Sequence, residues 1–129
     1  MDELISQIAE RVGIDENLAR TGVKIILGFL NKEGSGDVMS KILEALPGAK
    51  ELIDDGDSSG GGLLGGLGGM LGGGMGGAMA ALGELNNAGL DMDQSKQVAS
   101  ELISVAKEKV GESEIDELVG SIPGLGQFL

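Results

Sequence analysis

Apolar residues recur along the first third of the chain at the three- and four-residue intervals of an amphipathic helix. Leu4, Ile5, Ile8, Ala9 and Val12 form one stripe, and Gly13 supplies its stop. Asp15 stands where a second helix needs an N-cap, because its carboxylate can accept from free amides of the first turn. Leu18, Ala19, Val23, Ile26, Leu27 and Leu30 follow as one stripe and end at Gly34. Asp37 is placed to cap a third helix carrying Val38, Met39, Ile42, Leu43 and Leu46. Pro47 stops it, since proline disfavours the helical conformation in the residue before it.

The end of the chain repeats this grammar. Asp91 and Gln94 have capping-box spacing ahead of Val98, Ala99, Leu102, Ile103, Ala106 and Val110. Gly111 breaks the helix, Ser113 and Asp116 have the same spacing again, and Ile115, Leu118, Val119 and Ile122 lead to Pro123. Neither flank alternates with the period of two that marks a half-buried strand. The pattern predicts an all-α protein.

Gly13–Ile53 can be laid over Gly89–Leu129 without gaps, at a constant offset of 76. Gly13, Asp15, Pro47 and Gly48 then fall on identical residues at Gly89, Asp91, Pro123 and Gly124. Apolar positions coincide as well: Ile14 with Leu90, Ile26 with Leu102, Leu27 with Ile103, Met39 with Ile115, Ile42 with Leu118, and Leu46 with Ile122. The expected architecture is two pseudo-repeated three-helix units, 1–53 and 84–129, joined by an acidic hinge and glycine-rich tract over 54–83. A unit of about 50 residues buries little surface, so the two are expected to pack as one domain or against another chain.

The tract itself has a rhythm. Residues 60–83 carry no charge and hold 13 of the chain's 25 glycines. Large residues stand at Leu63, Leu67, Leu71, Met75 and Met79, every fourth position. Small ones stand at Gly61, Gly65, Gly69, Gly73, Gly77 and Ala81, also every fourth. On a helix this gives a ridge beside a bare groove, the small-xxx-small pattern that lets helix backbones approach closely. Against helix stands propensity: each interior glycine costs about 1 kcal/mol relative to alanine. Three readings stay open: a flexible linker, a helix that self-associates or docks through its glycine face, and conditional membrane insertion. A span would be long enough, yet it would hold five leucines and be flanked by the acids Asp54, Asp55, Asp57 and Glu84 rather than by lysine or arginine.

Composition narrows function more than fold. The chain has no histidine, cysteine, tryptophan or tyrosine. The commonest general base, thiolate chemistry and Cys-type zinc sites are therefore excluded. No cofactor and no enzyme activity are expected. A formal charge of −12 repels nucleic acid and anionic membrane surfaces. Met1-Asp2-Glu3 opens on acid where a secretory signal has a basic start, and the expected compartment is cytoplasmic. Glycine-rich loops can cradle phosphates, but no lysine lies between Lys50 and Lys96, so a Walker loop is ruled out.

Two acidic segments invite a metal reading. Asp55, Asp57 and Ser59 have calcium-loop spacing with Gly60 at the turn, but position twelve is Gly66 instead of a bidentate glutamate. Only weak calcium binding is compatible with that half-motif, and an acidic solvated hinge is the plainer reading. Asp91, Asp93 and Ser95 share the spacing, with Lys96 at the turn position, and read as a helix start. So does the cluster Glu112, Glu114, Asp116 and Glu117.

Gly76–Leu85 followed by Ala88-Gly89-Leu90-Asp91, together with Val12-Gly13-Ile14-Asp15-Glu16 and Leu46-Pro47-Gly48, resembles the VcgC/VcgE-type bacterial proteins of unknown function. The resemblance implies a helical fold and brings no catalytic or binding residues. The functional expectation is a non-enzymatic acidic helical protein, a homo-oligomer or the binder of a protein partner. Its interaction surface is Gly61, Gly65, Gly69, Gly73 and Gly77 with Leu63, Leu67, Leu71, Met75 and Met79.

Overall fold

A computed structural model describes residues 2–34, 36–53, 76–122 and 125–128. Every regular element among them is helical: α1 (Asp2–Val12), α2 (Glu16–Glu33), α3 (Gly36–Ala45), α4 (Gly76–Ala88), α5 (Met92–Val110), α6 (Glu112–Ser121) and α7 (Leu125–Phe128). A further helical turn covers residues 49–53.

Helix ends follow local chemistry. Gly13, at φ 80°, closes α1: its N–H donates to the Ala9 carbonyl at 2.8 Å, and the Ile14 N–H reaches the same oxygen at 3.0 Å. Gly89, at φ 116°, closes α4 in the same style, with the Leu90 N–H on the Leu85 carbonyl at 3.0 Å. Glycine suits both positions because it enters the left-handed region without a Cβ penalty. At the start of α5 the capping box forms in full. Asp91 Oδ1 accepts from the Gln94 N–H at 2.8 Å, and Gln94 Oε1 accepts from the Asp91 N–H at 3.2 Å.

The other three helix starts depart from the sequence reading. Asp15 holds the N-cap position of α2, yet its side chain makes no capping bond. Asp37 lies inside the first turn of α3, which begins at Gly36. Ser113 likewise falls inside α6, whose N-cap is Gly111, so the Ser113–Asp116 box does not form. A hydroxyl or carboxylate one or two residues past the cap has the wrong backbone geometry to reach back to the first-turn amides, and near a helix start such acids act only through the dipole.

The stripes converge on one core. Buried residues of both flanks form a single hydrophobic cluster, from Leu4 and Ile8 through Leu27 and Met39 to Leu102, Ile115 and Leu118. Helices α2 and α5 are central: α2 packs on α1, α3, α4 and α5, and α5 packs on α1, α3, α4 and α6 as well. Nearly every stripe residue is buried, while Val12, Leu18, Leu43, Val110 and Val119 lie at the edge of the cluster, partly buried. Helix α4 runs across residues 83 and 84, where the sequence reading divided tract from second unit.

Among the described residues, one polar side chain sits in this core. Ser95 is fully buried, and its Oγ has no hydrogen-bond partner. An unsatisfied buried hydroxyl forfeits its hydration without return. Ser95→Ala, which also gains helix propensity, is expected to stabilise the fold by about 1 kcal/mol. Thermal melts by circular dichroism would read this as a rise of a few degrees, and an unchanged or lower midpoint would show that the hydroxyl is satisfied.

Candidate interaction surface

Sequence reasoning placed its interaction surface on the glycine tract. Gly61, Gly65, Gly69, Gly73, Leu63, Leu67, Leu71 and Met75 lie outside the described residues, as do Asp55, Asp57 and Ser59 of the half calcium loop. Gly77 and Met79 belong to α4. On this helix the line 77–81–85 ends in Leu85, which is buried, whereas Gly83, Asn86 and Asn87 on the opposite side are exposed. Among the described residues, no helix is long and apolar enough to cross a membrane.

The face that receives α4 is built around Gly22 of α2. Gly22 is buried, and a Cβ added there would lie 3.0 Å from Leu90 Cδ1, 3.3 Å from Val98 Cγ1 and 3.7 Å from Leu85 Cδ2. Leu85 and Leu90, each 1 % exposed, therefore occupy the space that a larger side chain at position 22 would fill. These contacts join the first flank to the second, and none was singled out from sequence. The signal that could have revealed them is a glycine interrupting the apolar stripe between Ala19 and Val23, since a glycine inside a helical pattern commonly has a packing reason.

Charges add a second set of links between the flanks. Arg11 of α1 pairs with Glu101 of α5 at 2.8 Å, and Lys41 of α3 pairs with Glu114 of α6. Within the flanks, Arg20 meets Asp2 at 2.6 Å and Lys107 meets Asp116 at 3.0 Å. The hydrogen bond to Glu114 raises the Lys41 pKa above its ordinary value, with Asp37 and Glu117 adding to the field. A lysine raised on folding stabilises below its unfolded pKa, and that support is lost as pH rises through the folded value. The lysine therefore carries its charge at neutral pH and gives up its proton to solvent only in strong alkali. Exposed pairs of this kind contribute little stability, but they depend on which surfaces meet.

The acidic clusters thus have partners of their own. Glu114 and Asp116 face lysines, Asp91 caps α5, and Ser95 points into the core. Among the described residues, no group of three or more acidic side chains is arranged to hold a metal ion. Met92, 54 % exposed, is the one large apolar side chain among them that is left in solvent. Comparison with protein families, curated proteins and solved structures finds no match for this chain.

Proposed function

We propose that this chain is a non-enzymatic acidic helical protein that acts by self-association or by binding a protein partner, through the glycine, leucine and methionine rhythm of residues 60–83. The observation that carries the reading is α4: the last members of the rhythm, Gly77 and Met79, lie on a helix beginning at Gly76. Its line of small positions leads to the buried Leu85, and Gly83, Asn86 and Asn87 on its other side are exposed. A helix in that register turns the small residues toward close packing and leaves the ridge of large residues for a second surface.

We further propose that the flanks are two copies of one three-helix unit. The bounds of α2 and α3 shifted by 76 reproduce those of α5, to within a residue, and of α6. The shift carries Gly13 onto Gly89, both at positive φ, and the Ala49-to-Leu46 hydrogen bond onto the one from Leu125 to Ile122. The two units share one core, so the repeat is a statement about pattern and not about separate domains.

Light scattering after size exclusion tests the interaction reading. Self-association gives a mass above the 13.0 kDa of the chain, and Gly69→Leu with Gly73→Leu is expected to abolish it while the helical circular dichroism is retained. A strict monomer at all concentrations removes the homo-oligomer. Unchanged assembly in the double variant returns the tract to a linker. Flotation with liposomes at pH 7 and pH 5 separates protein association from membrane contact.

A further inference from the structure

We propose that the two units are keyed to each other, so that the first unit accepts the second and rejects a second copy of itself. The inference rests on the two-copy reading above. A shift of 76 carries Gly22 onto Val98, and these two positions face each other, with Val98 Cγ1 3.3 Å from where a Cβ of Gly22 would stand. A residue facing its own equivalent lies on the pseudo-twofold axis between the units. In the observed pairing Val98 shares with Leu90 and Leu85 the space left by a glycine. Pairing like with like would set glycine on glycine in one case and valine on valine in the other, a hole and a clash in place of one fit.

The ion pairs carry the same asymmetry independently. Glu101 is equivalent to Ile25, and Arg11 to Asn87. Two first units would place Arg11 on Ile25, and two second units would place Asn87 on Glu101. Lys41 is equivalent to Glu117, and Glu114 to Val38. Two first units would set Lys41 against Val38, and two second units would set Glu117 against Glu114, two like charges. Each of these two salt bridges exists only between unlike units. Specificity is a difference between affinities, and repulsion in the wrong complex contributes to it as much as attraction in the right one. Any self-association of the whole protein then uses a surface other than the one between its units.

A protease site inserted after Gly66 of the full-length protein allows a direct test. The folded protein is cut, unfolded in denaturant, refolded by dilution and weighed by native mass spectrometry. Random pairing of equal units would leave about half of all pieces in like pairs; the expected result is unlike pairs in excess by more than about tenfold. Like pairs in comparable amount would overturn the keying and leave the repeat standing. Pieces that refold without pairing at all would overturn the packing of one unit on the other on which the keying rests. Glu114→Lys is a surface change that sets the new ammonium against Lys41 in the unlike pair and against Glu117 in the like pair. It is expected to raise the share of second-unit pairs several-fold. Adding Val98→Gly is expected to raise it further, and a share unchanged by either variant would overturn the proposal.

Discussion

Gly22→Val is expected to lower the melting temperature by on the order of 10 °C, the cost of about 3 kcal/mol that overpacking a close-packed site carries. The first added atom already stands 3.0 Å from Leu90 Cδ1 and 3.3 Å from Val98 Cγ1, tighter than carbon atoms normally approach. Valine then adds two more methyl groups with a nearly fixed rotamer. Relief would require α4 and the α4–α5 connection to move off α2, which opens the packing around Leu85 and Leu90. Gly28→Val provides the control on the same helix, because nothing lies within 4 Å of its added Cβ. There the gain in backbone rigidity over glycine governs, and the midpoint is expected to hold or rise slightly. Equal effects at the two positions would mean that Gly22 is a matter of helix propensity and not of approach. Chemical denaturation of both variants, followed by far-ultraviolet circular dichroism, distinguishes the outcomes.

Leu118→Ala should be nearly as severe for the opposite reason. Leu118 is fully buried on α6, and one of its methyl groups lies 2.5 Å from where a Cβ of Gly34 would stand, just past the end of α2. Truncation to alanine loses the transfer of three carbons and leaves a cavity, together about 2–5 kcal/mol. A domain of this size has roughly 5–15 kcal/mol in all, so a large part of the stability is at stake. Val119, next in sequence but only partly buried, is the comparison: Val119→Ala is expected to cost about 1 kcal/mol or less. A loss at Leu118 no larger than that at Val119 would show that the contact between α6 and the end of α2 is not a fixed part of the core.

The helical stripes were legible because a period of 3.6 is set by the backbone itself, and Leu4, Ile8, Leu27, Leu102 and Leu118 could hardly be used otherwise. The capping box at Asp91 was legible for a related reason: both partners and their spacing are local. Ser113 and Asp37 had suitable chemistry but missed the cap, because a neighbouring glycine started each helix earlier. Helix α4 was the least readable element. Gly76, Gly77 and Gly83 all oppose it by propensity, and what holds it is the packing of Leu85 on α2, a contact between residues more than sixty positions apart. The same distance hid the Gly22 slot and the salt bridges of Arg11 with Glu101 and Lys41 with Glu114. Of the tract, sequence could give the rhythm and its possible faces; the part within α4 accords with a helical register.

The core that results is aliphatic, with Met39 at 2 % exposure beside Met92 at 54 %. Those two thioethers make the molecule its own clock for opening. Peroxide reaches the exposed Met92 in the folded protein and converts it to the sulfoxide. Met39 is oxidised when α3 lifts from the centre, so its rate relative to that of Met92 in the same tube follows how often the core opens. In a protein with neither tryptophan nor tyrosine to report by fluorescence, the peptide masses after digestion supply that measurement instead.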